Sequence, residues 1–158
     1  MRKILLAGSV LALVLAGQES QQSQNALPEG YIALMRSDVQ AKKTEIVRQN
    51  LTLSDSDAEK FWPLQRSYEN DLAKLGDQRL QVIREYAKNW ENLSDATAKD
   101  LGSRLLDFQK KRVQLREKYF NRMAKEINAI VAAKFVQVEI QLEDLLDLGI
   151  ASQVPLVK

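Results

Sequence analysis

The two long helices of this chain are predicted to begin at two related octets, Leu53-Ser54-Asp55-Ser56-Asp57-Ala58-Glu59-Lys60 and Leu93-Ser94-Asp95-Ala96-Thr97-Ala98-Lys99-Asp100. In both octets a serine hydroxyl can accept a hydrogen bond from a free backbone N–H of the first helical turn. Asp57 and Thr97 occupy the polar position of a capping box, and Leu53 and Leu93 stand where a hydrophobic staple begins. Two ordinary caps would explain the octets separately. The recurrence of Leu-Ser-Asp at both sites also fits a duplicated helical unit, because internal periodicity is the sequence signature of a repeat.

Residues 1–17 predict a secretory signal peptide. Arg2 and Lys3 form a short basic region, and residues 4–16 form an apolar run. This run is too short for a membrane-spanning helix, which needs about 20 such residues, so a retained membrane anchor is the less favoured interpretation. Small residues before Gly17 fit cleavage near Ala16 or Gly17. We therefore expect export to the periplasm, with no stable membrane insertion after cleavage.

Composition and charge exclude several kinds of site. The chain has no Cys and no His, so thiolate nucleophiles and imidazole bases are absent, and zinc and copper sites lack their usual ligands. We therefore expect no catalytic residues, no metal-binding residues and no cofactor. Once the predicted signal peptide is removed, the numbers of basic and acidic residues are equal. This balance gives no electrostatic argument for binding nucleic acid.

The sequence predicts an all-α fold. Gly (6) and Pro (3) are scarce and helix-forming residues are abundant. Residues 18–30 are predicted to be a disordered polar linker, residues 31–150 a single helical domain and residues 151–158 a C-terminal tail. Apolar residues at spacings of three and four predict helices over about 31–50, 55–91 and 95–148, and Gly149 would end the third helix.

The expected architecture is an elongated antiparallel helical hairpin with an additional N-terminal helix. The connection between the second and third helices is so short that they must fold back on each other. The third helix would then extend about 17 residues beyond the second. The basic first helix would lie along this overhang and offset the charges of Glu139, Glu143, Asp144 and Asp147. A thin hairpin buries little apolar surface, which predicts either a homodimer or an exposed apolar surface for a ligand.

Pro63 is expected to kink the second helix, because it lacks a backbone donor and its ring clashes with the preceding turn. Phe61 and Trp62 stand beside this kink. Trp62 and Trp90 fit a packing role better than a stacking platform. Asp55, Asp57 and Glu59 lack the spacing of a calcium-binding loop and fit the acidic first turn of a helix.

A basic stretch over residues 99–125 is the candidate binding surface. Nine bases and three acids give it a local net charge of +6. It is either a solvated face with ion pairs such as Asp100–Arg104 and Asp107–Lys111, or a basic, partly apolar surface that attracts acidic or unfolded partners. In the second interpretation the residues that contact a client or partner are Phe61, Trp62, Phe108, Lys110, Lys111, Arg112, Leu115, Arg116 and Tyr119.

The chain resembles a known family at the two octets. Leu53-Ser54-Asp55-Ser56-Asp57 and Leu93-Ser94-Asp95-Ala96-Thr97 are similar to the paired LTxxQ motifs of the Spy/CpxP periplasmic proteins, with Asp57 and Thr97 in place of Gln. Leu51-Thr52-Leu53-Ser54-Asp55 is an alternative register for the first motif. The predicted signal peptide and the helical composition are also similar to those of this family. The matching part of the chain covers roughly residues 31–148. The resemblance implies an elongated helical hairpin dimer, shaped like a cradle, that acts as an ATP-independent chaperone or an envelope-stress sensor.

The leading functional hypothesis is therefore a periplasmic, non-enzymatic chaperone or envelope-stress adaptor that binds unfolded or envelope proteins. The alternative is a structural or regulatory module that docks one folded envelope partner, such as a sensor-kinase domain. An enzyme would require carboxylates that converge in a dry pocket with perturbed pKa values.

Overall fold

The computed structural model describes residues 42–152, 154 and 156, and every regular element in this part of the chain is helical. We label the described helical residues 42–50 as α1. They are followed by α2 (Asp55–Asn89), a short 3₁₀ helix (Trp90–Asn92), α3 (Asp95–Glu126) and α4 (Ala129–Ala151). The predicted all-α class is confirmed. The predicted signal peptide, the linker and the first part of the N-terminal helix lie outside the described residues.

The two octets begin α2 and α3 where the sequence predicts. The Ser54 hydroxyl accepts a hydrogen bond from the Asp57 backbone N–H, and the Ser94 hydroxyl accepts one from the Thr97 backbone N–H, both at 3.2 Å. Each serine therefore satisfies one of the backbone donors that a helix N-terminus leaves free. Ser94 Oγ also lies 2.9 Å from Thr97 Oγ1.

The prediction of one uninterrupted third helix over 95–148 is wrong. Helix α3 ends at Glu126 and α4 begins at Ala129. Between them Ile127 leaves the helical region (φ −123°, ψ −89°) and Asn128 is extended (φ −168°, ψ 163°). The Asn128 side chain accepts a hydrogen bond from the Val131 backbone N–H at 2.9 Å. Asn128 is therefore the N-cap of a separate helix, and the chain reverses direction at this point.

Ion pairs between helices define their relative directions. Along α2 and α3, Glu85 pairs with Arg104, and Asp71 pairs with Lys118, so these helices are antiparallel. Helix α4 is antiparallel to α3, because Arg116 pairs with Glu143 at 2.8 Å and Arg112 pairs with Asp147 at 2.8 Å. The predicted overhang therefore does not exist, since α4 folds back along α3 instead of continuing its line.

Helix α1 packs against both α2 and α4. Lys43 pairs with Glu69 of α2 and with Glu139 of α4. The Arg48 guanidinium lies 5.3 Å from the ring centroid of Trp62, so α1 runs antiparallel to α2. Four helical segments thus surround one interior.

Four aromatic side chains form the centre of this interior. Phe61 and Tyr68 of α2, Tyr119 of α3 and Phe135 of α4 are all almost fully buried. The rings of Phe61 and Phe135, of Tyr68 and Phe135, and of Tyr68 and Tyr119 meet edge to face, with centroids 5.7, 5.2 and 5.4 Å apart. Such pairs contribute about 0.5–1.5 kcal/mol each beyond the burial of their area. Val47 of α1 is buried in the same cluster.

The reversal at Asn128 also changes which residues face the interior. The apolar pattern of a single long helix places Leu105, Ile130 and Leu145 on its buried seam, but the structure exposes all three side chains. The expected helix end at Gly149 is also wrong, because α4 continues to Ala151. No described glycine has positive φ, so Gly149 does not form the predicted left-handed cap.

Two other features complete the fold. Pro63 lies on the exposed side of α2, with helix on both sides of it, and the kink that we expect at this residue stays a prediction. At the other end of the molecule, the Trp90 indole N–H donates a hydrogen bond to the Leu156 carbonyl at 3.2 Å, so Leu156 lies beside the connection between α2 and α3. Within the described residues, none of the helices combines the length and the apolar character that crossing a membrane requires.

We expect Asn128→Ala to lower the free energy of unfolding by about 1 kcal/mol, the usual cost of removing an N-cap side chain. Asn121→Ala is the matched control, because Asn121 is exposed in the interior of α3 and alanine is the better helix former. Urea denaturation of the two variants measures the difference. Equal stability of both variants would show that the reversal does not depend on this cap.

Candidate functional site

The nine residues predicted to bind a client do not share one exposed face. Phe61, Phe108 and Tyr119 are at most 4% exposed. Phe61 and Tyr119 belong to the aromatic centre of the fold, and the Tyr119 hydroxyl donates a hydrogen bond to Asp71 at 3.0 Å. Arg79 and Arg112 both lie over the ring of Phe108. These three aromatic side chains are not accessible to a partner in this arrangement.

Four of the predicted residues are only partly accessible. Arg112 and Arg116, with side chains 12% and 14% exposed, point toward the carboxylates of α4. Leu115 and Trp62 pack against the hydrophobic core. Trp62 also borders an open surface depression beside Pro63.

Lys110 and Lys111 are the two predicted binding residues that the structure leaves exposed. The predicted ion pair Asp107–Lys111 is present at 2.7 Å, and so is Asp100–Arg104 at 3.1 Å. Part of the basic stretch is therefore a solvated face with pairs at a spacing of four residues, as one of the two interpretations expected. Exposed pairs of this kind contribute little to stability, because water and salt screen them.

Sequence reasoning missed two apolar residues that lie on the same face of α3 as Lys110. Leu106 and Val113 are 72% and 57% exposed. Their positions, four residues before Lys110 and three residues after it, place all three side chains on one side of the helix. We call Leu106, Lys110 and Val113 the α3 outer face. It contains one basic and two apolar side chains, and the two apolar residues are not among those that the sequence predicts.

A cluster of charged side chains lies inside the fold, where three helices meet. The Lys43 ammonium of α1 lies 2.9 Å from Glu139 Oε2 and 3.0 Å from Glu69 Oε1. Glu139 is fully buried and Lys43 is 4% exposed. This pair partly confirms the expectation that the first helix supplies a base to the acids of α4. Burial of such charges is tolerated only when they are paired, because removing an ion from water costs several kcal/mol.

Two other acids of α4, Glu143 and Asp147, are paired by α2 and α3 rather than by α1. Glu143 is 6% exposed and lies 2.8 Å from Arg116. Asp147 receives hydrogen bonds from both Arg79 and Arg112. The expectation that these acids depend on the first helix is therefore wrong, because the reversal at residues 127–128 brings α4 beside the arginines of α3.

Burial and pairing shift the pKa values of these groups. Burial raises the pKa of Glu139 to about 7, although the Lys43 ammonium opposes this shift. Burial also raises the pKa of Glu143, against the effect of Arg112 and Arg116. Burial acts to lower the pKa of Lys43, but Glu139 and Glu69 outweigh it, so this pKa lies above its ordinary value. Asp147 is also partly buried, yet its arginine partners hold its pKa below the ordinary value.

Several buried polar atoms near this cluster have no hydrogen-bond partner in the protein, among them Gln65 Nε2, Tyr68 Oη and Glu139 Oε1. Of these groups, Tyr68 lies beside the pair, since the Lys43 ammonium is 5.9 Å from the centroid of its ring. Within the described residues, no group of three or more acidic side chains is arranged to hold a metal ion. The ion pairs of Lys43 connect α1 to both α2 and α4.

Comparison of the chain with known protein families, with curated proteins and with solved structures finds no match. The resemblance to the Spy/CpxP family therefore stays a prediction that depends on the two octets.

The raised pKa of Glu139 predicts that stability falls as the pH rises. The folded protein holds a proton on Glu139 up to a pH of about 7, whereas the unfolded chain releases it near 4.5. Between these values the folded state binds more protons, so the free energy of unfolding decreases with rising pH, by an amount on the order of 3 kcal/mol. Glu143 contributes in the same direction, because its pKa is also raised.

Denaturant unfolding of the original protein and of Glu139→Gln, measured between pH 5 and 8 at constant ionic strength, tests this assignment. We expect the variant to lose most of the pH dependence and to keep the part due to Glu143. If the free energy of unfolding changes with pH to the same extent in both proteins, Glu139 does not titrate in this range.

Removal of the Lys43 charge is expected to be costly, because it leaves Glu139 buried without its partner. Lys43→Met should lower the free energy of unfolding by about 3–5 kcal/mol at pH 8. Lys43→Met combined with Glu139→Gln should recover most of this loss, since no unpaired charge then remains at Glu139. Lys74→Met is the control, because Lys74 is 76% exposed in its pair with Asp71. If the decrease in the free energy of unfolding of the double variant equals the sum of the decreases of the two single variants, the two groups are not coupled.

Proposed function

We propose that this protein is a non-enzymatic, ATP-independent chaperone or envelope-stress adaptor of the periplasm, and that it binds unfolded or envelope proteins through the α3 outer face. Exposure of Leu106 and Val113 on either side of Lys110 is the observation that carries this proposal. Large apolar side chains that stay exposed although the interior is already filled are typical of surfaces that bind other proteins.

The size and charge of the face fit weak and reversible binding. Burial of one leucine and one valine side chain contributes roughly 3–6 kcal/mol before the cost of ordering is subtracted. A favourable binding free energy of this size gives a weak complex, which suits a chaperone that releases its client without ATP. The Lys110 ammonium attracts acidic segments, because electrostatic complementarity raises the rate of encounter.

The predicted periplasmic location and the resemblance to the Spy/CpxP family support the same proposal from the sequence. The alternative is an adaptor that docks one folded envelope protein. The two differ in what they bind: a chaperone binds many unfolded clients weakly, whereas an adaptor binds one folded protein with a defined stoichiometry.

Light scattering of a heat-aggregating client protein, without ATP, tests the chaperone function. A several-fold excess of the protein should suppress aggregation, and Leu106→Ser combined with Val113→Ser should remove most of the suppression. The thermal midpoint of this double variant should stay close to the original, since substitutions at exposed positions change stability by about 0.5 kcal/mol or less.

Leu156→Ser is the matched control for this experiment, because Leu156 is exposed but lies in the C-terminal tail. It should retain full suppression. No suppression by the original protein at any excess would reject the chaperone function. Saturable binding to a single protein from an envelope extract, lost in the Leu106→Ser and Val113→Ser double variant, would then identify the adaptor.

A further inference from the structure

The outward side of α4 carries a second exposed surface, separate from the α3 outer face. Six exposed residues follow one another at alternating spacings of four and three, which is the spacing of a coiled-coil seam. We call them the α4 seam: Ile130, Lys134, Gln137, Gln141, Asp144 and Leu148. At its two ends Ile130 and Leu148 are 71% and 69% exposed. None of the six belongs to the buried core.

The order of residues along the α4 seam is complementary to itself when it is reversed. If two copies of α4 pair in opposite directions about a twofold axis near residue 139, then Ile130 lies opposite Leu148. Lys134 lies opposite Asp144, and Gln137 opposite Gln141. Each apolar group thus meets an apolar group, each charge meets the opposite charge and each amide meets an amide.

Pairing in the same direction would be unfavourable, because it places Lys134 opposite Lys134 and Asp144 opposite Asp144. A twofold axis perpendicular to α4 produces the antiparallel arrangement, and the same surface of both subunits then forms the interface. Neither Lys134 nor Asp144 forms an ion pair within residues 42–152, so both charges are free to pair across such an interface.

We propose that the α4 seam is the interface of an antiparallel homodimer. Leu145 and Ile140 flank the seam and are themselves exposed, so they extend the apolar contact on either side. The interface would consist mainly of one helix from each subunit. It is therefore smaller than the roughly 1,600 Å² of a standard stable interface, and a dissociation constant in the micromolar range is expected.

Sedimentation equilibrium of the purified protein, from about 5 to about 500 μM, tests the dimer across this affinity range. The original protein should change from monomer to dimer within the range. Lys134→Asp and Asp144→Lys should each weaken dimerisation at least about tenfold, because each substitution places like charges opposite each other. The combined variant, Lys134→Asp with Asp144→Lys, should recover the original dissociation constant.

Lys99→Asp is the control, because Lys99 is exposed on α3 and lies outside the α4 seam. It should dimerise like the original protein. A monomer at every concentration would overturn the proposal. A dimer that is unaffected by the single charge reversals, or that the combined variant does not recover, would also overturn it, since the contact would then use another surface.

Cross-linking provides a geometric test of the same interface, because the chain has no cysteine. Gln137→Cys and Gln141→Cys place a thiol at two positions that face each other only across the antiparallel pair. Oxidation of an equal mixture of the two variants should yield more covalent dimer than oxidation of either variant alone. Equal yields in all three samples would contradict the antiparallel register.

Discussion

The acids of α4 can lie inside this fold only because cations from three other helices reach them. Lys43 from α1 pairs with Glu139, Arg112 and Arg116 from α3 approach Glu143, and Arg79 from α2 contacts Asp147. Each contact compensates part of the cost of removing a carboxylate from water. Because these cations reach the acids from different sides, the contacts also fix the position of α4 relative to its neighbours. A shift of α4 by one turn would separate several carboxylates from their partners at once.

This pairing adds buried charges to the apolar inward side of α4, where Val131, Phe135 and Val138 are also buried. A helix at the surface of a protein normally turns its apolar residues inward and its charges outward. In α4 Glu139 and Glu143 are buried, whereas Ile130, Leu145 and Leu148 are exposed. The outward side retains only Lys134 and Asp144 as charges along the α4 seam. A helix with a mainly uncharged exterior is better suited to contact with another protein surface than to contact with water.

The helix starts and the fold class are predictable from the sequence because they depend on local chemistry. Ser54 and Ser94 form caps with residues three positions away, and such contacts can be inferred without knowledge of the tertiary fold. The position of α4 cannot be predicted once Asn128 is overlooked. In a straight helix Arg112 and Glu143 would be about 46 Å apart, whereas the structure places their side chains 3.7 Å apart. The sequence does contain a signal for the break between α3 and α4. Asn is a favoured N-cap residue, and the density of charged residues falls sharply after Glu126.

The periodicity of α3 explains why the structure buries several of the candidate binding residues that the sequence predicts. A basic and apolar surface is predicted on residues 99–125, and α3 does have such a surface, around Lys110. The predicted apolar residues Phe108, Leu115 and Tyr119 follow the seam of the helix, and that periodicity marks the buried side of α3. Leu106 and Val113 do not follow the seam, and for that reason they remain exposed. On α3, therefore, the apolar residues that break the periodicity are the ones left accessible at the surface.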